Sequence, residues 1–212
     1  MKKTFYPTLA VATILLGGIA AAAPAAPMMP VRGTIAAVNG STLTITELSG
    51  ANISVTLAPN AKVVELLRSS LAHVQAGSYI GTAAMREPDG TYRALELQVF
   101  PNSMRGMGLG TRNWNLAPHS TMTNGTVGGL TSAGGTVSNV NGSGDLTLTV
   151  NDGSGTKTVL VPATAPVVTY APGTKADLQP GAHVIFAPTQ AADGTLTISR
   201  ISVGKDGLTP PM

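Results

Sequence analysis

Cysteine does not occur in the 212 residues. No disulfide can brace the fold, no thiolate can serve as nucleophile or metal ligand, and no lipidated cysteine can anchor the chain. Aromatic residues are scarce too, with three Phe, four Tyr and one Trp. Any core must therefore be aliphatic, built from Val, Ile, Leu and Ala. Charged residues make up only 11%, so Thr, Ser and Asn carry the surface polarity. That mixture, β-branched and close to neutral, suits an exported β-protein rather than a disordered chain.

Familiar catalytic patterns are missing as well. There is no Gly-x-Ser-x-Gly elbow, and the acidic residues stand singly, mostly in Asp-Gly turns, so no glycosidase-type carboxylate pair forms. His73 and His183 have no acidic partner at a recognisable spacing. The glycines from Gly106 to Gly110 follow a strand, but Thr-Arg-Asn-Trp-Asn comes next instead of an apolar helix, which rules against a phosphate loop. The expectation is a protein that is not an enzyme and carries no cofactor.

What is present begins with a targeting pattern. Lys2 and Lys3 precede an apolar run from Leu9 to Ala22, and Ala20-Ala21-Ala22 offers small residues to a signal peptidase. Residues 1–22 are read as a signal peptide, since the run is shorter than the roughly 20 residues that span a bilayer. The mature chain is expected in the periplasm or secreted, without a transmembrane segment. Removing Lys2 and Lys3 turns 13 basic against 10 acidic residues into 11 against 10. The basic patch with interleaved aromatics that nucleic-acid binding requires is then absent.

The mature part repeats itself. Gly33-Thr34-Ile35-Ala36-Ala37-Val38-Asn39-Gly40 returns as Gly135-Thr136-Val137-Ser138-Asn139-Val140-Asn141-Gly142, and Leu43-Thr44-Ile45-Thr46 as Leu146-Thr147-Leu148-Thr149. Val55, Leu57, Val63 and Val64 match Val159, Val161, Val167 and Val168, and Asp89-Gly90-Thr91 matches Asp193-Gly194-Thr195. The offset drifts only from 102 to 104 along the alignment. One ambiguity stays open: Gly125 to Leu130 serves equally well as the first strand of the second copy, with Thr131 to Gly144 as a long hairpin insertion.

Within each copy the pattern is five strands with one interruption. Asn39-Gly40 and Asp89-Gly90 are tight-turn signals, and Ile53 to Leu57 alternates with period two. Val64, Leu67, Leu71 and Val74 recur at helical spacing, so Glu65 to His73 is expected as a short helix. In the second copy Pro166, Pro172 and Gly173 leave room for one turn near Lys175 to Leu178. The fold class is therefore all-β: two tandem five-stranded OB-like barrels, with a short helix in the first. The expected division is signal peptide 1–22, linker 23–30, first domain 31–100, inter-domain segment 101–124, second domain 125–204 and tail 205–212.

The inter-domain segment holds the only Trp, two Arg, three Met and one of three His. Trp114 and Leu116 are expected to dock in the groove between the barrels and set their orientation. Arg105 and Arg112, with Trp114, make a candidate binding set, because guanidinium forks suit an anion or a peptide carboxylate. Met104, Met107, His119 and Met122 make an alternative set of soft donors for copper as Cu(I), which Met28 and Met29 could extend. The unpaired barrel edges leave strand addition by another periplasmic or envelope protein open.

The Asp89-Gly90-Thr91 and Asp193-Gly194-Thr195 hairpins, Ser103-Met104-Arg105-Gly106, Ser120-Thr121-Met122-Thr123-Asn124 and the tail Gly204-Lys205-Asp206-Gly207-Leu208 carry a resemblance. On these the chain resembles a family of uncharacterised exported bacterial proteins with tandem OB-like domains of unknown function. The resemblance implies location and architecture, and no chemistry. The leading functional expectation is a non-catalytic periplasmic binding or scaffold protein, with soft-metal handling as the alternative.

Overall fold

A computed structural model describes residues 28–132, 135–137 and 144–212. The expected signal peptide, most of the 23–30 linker and the stretch 138–142 of the repeat lie outside the described residues. Among the described residues the regular structure is β-strand with four short helical turns. In chain order the strands are β1 (Val31–Asn39), β2 (Thr42–Glu47), β3 (Asn52–Arg68), β4 (Tyr79–Arg86) and β5 (Tyr92–Ala94). They continue as β6 (Leu97–Val99), β7 (Gly110–Asn113), β8 (Thr121–Ser132), β9 (Gly135–Val137) and β10 (Leu146–Asn151). The last are β11 (Thr156–Val161), β12 (Val167–Pro172), β13 (His183–Phe186), β14 (Thr189–Gln190) and β15 (Leu196–Gly204).

The described residues are all-β, and their 15 strands form one continuous sheet. Two separate barrels, each made by one stretch of chain, are not what forms. β1 pairs with β2, β2 with β3, β3 in parallel with β15, β15 with β13, and β13 returns to β1. This closed ring takes three strands from the N-terminal half and two from the C-terminal half. The second ring is the converse: β8–β10–β11, then β5 in parallel with β11, then β4, which returns to β8. The cores are equally mixed. Ile35, Leu43 and Val55 bury against Val184, Phe186 and Ile198, while Leu148, Val150 and Val159 bury against Ile80 and Leu97.

The rings follow matching registers. Tyr79 faces Thr126 as His183 faces Thr34, and Arg93 faces Leu160 as Thr197 faces Thr56. Both first strands carry a bulge at the same place, after Ile35 in β1 and after Val127 in β8. Gly125 to Leu130 lie in β8, and β9 folds back on β8.

The expected helix over Glu65 to His73 does not form. β3 runs straight on to Arg68, and only Leu71–His73 makes a helical turn, matched later by Lys175–Asp177. The physical reason is the partner on each edge. Val64 to Leu66 pair with β15 on one side and with β12 on the other, satisfying backbone groups that a helix would satisfy internally. β3 and β12 pair antiparallel with Leu66 opposite Tyr170.

Candidate functional site: the seam cleft

Where the two rings meet, Leu66, Ala83, Met122, Val168, Ile185, Leu208 and Met212 form a third buried cluster. The inter-domain segment folds onto it. Pro101 leads into a turn over Asn102–Met104, Gly106 and Gly108 take φ of 84° and 59°, and β7 then pairs antiparallel with β8, Arg112 opposite Met122. The Thr111 hydroxyl fastens this hairpin by donating to Asp152 Oδ2 at 2.7 Å. Burial pushes the Asp152 carboxyl up, but hydrogen bonds from Thr111, Ser154 and Lys157 outweigh it and hold the group well below the usual carboxylate range. Trp114 and Leu116 then lie against the seam cluster, and the Trp114 backbone N–H donates to the Ser120 backbone carbonyl at 2.8 Å.

A cleft of about 340 Å³ opens beside this hairpin. Its apolar wall includes Phe100, Met104, Met107, Trp114 and Met122, and Tyr170 stacks on Phe100 with ring centroids 5.1 Å apart. Arg112 and Arg200 supply its charge. A second depression of about 480 Å³ adjoins it, sharing Met104, Met107, Tyr170 and Arg200.

The guanidiniums lack carboxylate partners. Among the described residues the ion pairs are Arg93–Glu87, Lys157–Asp152 and Lys205–Glu65, and none of these residues lines the cleft. Arg112 donates to Gly108 O at 2.9 Å and stands 5.4 Å over the Trp114 ring. Arg200 donates only to the Met104 thioether, at 3.7 Å. Arg32 also stands over Trp114 and is held by Asn115 Oδ1 at 2.8 Å and by the Met212 carbonyl. Trp114 Nε1 is buried without a partner.

Behind the cleft sits a buried polar chain. The Tyr170 hydroxyl donates to Gln98 Oε1, and Gln98 Nε2 donates to Glu96 Oε1 at 3.2 Å and to the Met122 thioether at 3.7 Å. Ala83 N–H adds a bond to the same Glu96 oxygen at 2.7 Å, whereas Glu96 Oε2 has no partner. Glu96 is fully buried, and that desolvation raises its carboxyl from 4.5 to about 7 despite those bonds and the Arg32 charge. Tyr170 is pushed upward by burial and by Glu96, against a pull from Arg200 and Arg112.

Of the residues singled out from sequence, Arg112, Trp114, Met104, Met107 and Met122 all line this cleft. Arg105 and His119 do not. Arg105 donates to Gly77 O at 2.6 Å and stands over Tyr79, and His119 is exposed in the turn before β8, at φ 61°. Among the described residues no group of three or more His, Asp or Glu could hold a metal ion. Sequence reasoning missed Arg200, Tyr170, Gln98 and Glu96. A signal existed: Glu96 in Leu-Glu-Leu-Gln-Val and Arg200 in Ile-Ser-Arg-Ile-Ser stand 104 residues apart, at the repeat offset, each a charge beside apolar neighbours.

Compared with protein-family models, with curated proteins and with solved structures, the chain gives no match.

Proposed function

We propose that this is an exported, non-catalytic binding protein, built from a duplicated OB-like unit whose copies have exchanged strands, with the seam cleft as its binding site. The strand order 1-2-3-5-4 in each ring, with strand three parallel to strand five, is what supports the OB-like reading. The observation that carries the function is the cleft itself. Its volume of about 340 Å³ falls in the range of ligand pockets, and its wall is largely apolar with few polar groups. The N-terminal pattern of residues 1–22 supports export.

The test uses the neutral fluorophore N-phenyl-1-naphthylamine with the full mature chain. The expected result is uptake of one molecule per chain, with energy transfer from Trp114, lost when the exposed cleft residue Ser199 is filled by Ser199→Phe. Uptake unchanged in that variant would contradict the assignment of the cleft.

One observation favours soft-metal handling as a second reading: Met104, Met107 and Met122 converge on one cleft. Against it, Arg200 occupies the Met104 sulfur and brings a like charge to any bound cation. Competition for Cu(I) with bicinchoninic acid decides, because the binding-protein reading expects no competition from the chain.

A further inference from the structure

The chemistry of the cleft narrows its ligand. Arg112 and Arg200 each spend one of five N–H donors on a weak or neutral acceptor, leaving forks that suit a carboxylate. No Asp or Glu lines the cleft, so a cation would meet repulsion without compensation. The wall of Phe100, Met107 and Trp114 gives a small inorganic anion nothing to desolvate against, but it suits a hydrocarbon body. Both guanidiniums line this cleft together with the Tyr170 ring.

We infer that the seam cleft selects small amphipathic monocarboxylates, of which a medium-chain fatty acid is the simplest, with the carboxylate held by Arg112 and Arg200 and the apolar body on Phe100, Met107 and Trp114. This rests on the reading of the cleft as a binding site. The near balance of 11 basic and 10 acidic residues beyond Lys3 argues against a polyanion.

Three ligands with one chain length and different heads make the test: decanoate, decanol and decylamine, titrated calorimetrically at pH 6 into the full mature chain. The expected order is decanoate tightest, decanol about tenfold weaker and decylamine weakest, since the alcohol forgoes the charge-assisted hydrogen bonds and the ammonium meets two guanidiniums. Arg112→Gln and Arg200→Gln should each weaken decanoate about tenfold and leave decanol unchanged, with melting temperatures checked to show both variants are folded. Equal affinity for all three heads would overturn the selectivity while leaving the binding site standing. Failure of decanoate to bind, with the naphthylamine still taken up, would overturn it too. Failure of every probe would remove the binding reading beneath it.

Discussion

A carboxyl group enclosed by protein keeps its proton unless cations or several N–H donors compensate, and Glu96 has two donors on one oxygen and none on the other. It faces Gln98 in β6, Ala83 N–H in β4, Tyr170 in β12 and the Arg32 guanidinium in β1. The folded chain holds this proton up to about pH 7, while the unfolded chain releases it near 4.5. Stability should therefore fall as pH rises across that interval and level off above it, by about 3 kcal/mol in total. Glu96→Gln should abolish the decline and be the more stable protein at pH 8, as urea unfolding at a series of pH values would read. A wild-type profile without that decline would show that the group is not buried with its proton. The same ionisation puts a negative charge behind the cleft, so decanoate affinity should drop as pH passes about 7 in the wild type and stay level in Glu96→Gln.

At the scale of elements, the tight turns were the most legible part of the chain. Gly40 takes φ 60° in the Asn39-Gly40 turn, and Asp89 accepts from Thr91 N–H as Asp193 does from Thr195. Each of these is a local device, complete within a few residues. β3 was not legible in the same way. Val64, Leu67, Leu71 and Val74 do recur at helical spacing, but Val63 and Leu66 are the buried positions in its second half, and their partners come from β12 and β15, over a hundred residues away. Leu66 is fully buried at the crossing with β12, so Leu66→Ala should cost about 3 kcal/mol in chemical denaturation. A loss well under 1 kcal/mol would fit an exposed helix better than this crossing. The first strands carry a second constraint. A Cβ on Gly33 would run into the Thr46 carbonyl and one on Gly125 into that of Asn151, so Gly125→Ala should destabilise by about 2 kcal/mol through forced backbone displacement.

For the whole molecule, composition and alternation reveal an all-β chain, and the pairing of strands between its two halves is invisible to both. Alternation marks which side chains of a strand face a core, not which half of the chain supplies the neighbouring strand. What decides is the route: β3 does not bend back where a helix was expected, and it carries the chain across the seam before β4 begins. The cleft was half legible for the same reason. Its local contributors in 101–124 stood out by residue type, whereas Tyr170 and Arg200 reach it only through the crossing. Since each core draws on both halves, the fragments 28–100 and 101–212 should each lack a cooperative thermal transition and regain one when mixed. The exchange itself is tested most directly by cross-linking. Thr34 and His183 face each other across β1 and β13 with side chains 3.0 Å apart, and a cysteine-free chain makes an engineered pair unambiguous. The double variant Thr34→Cys/His183→Cys should form an intramolecular disulfide on mild oxidation, and Thr34→Cys/Tyr79→Cys should not. A disulfide in the second pair and none in the first would mean that each half closes on itself, and the seam cleft as described would not exist.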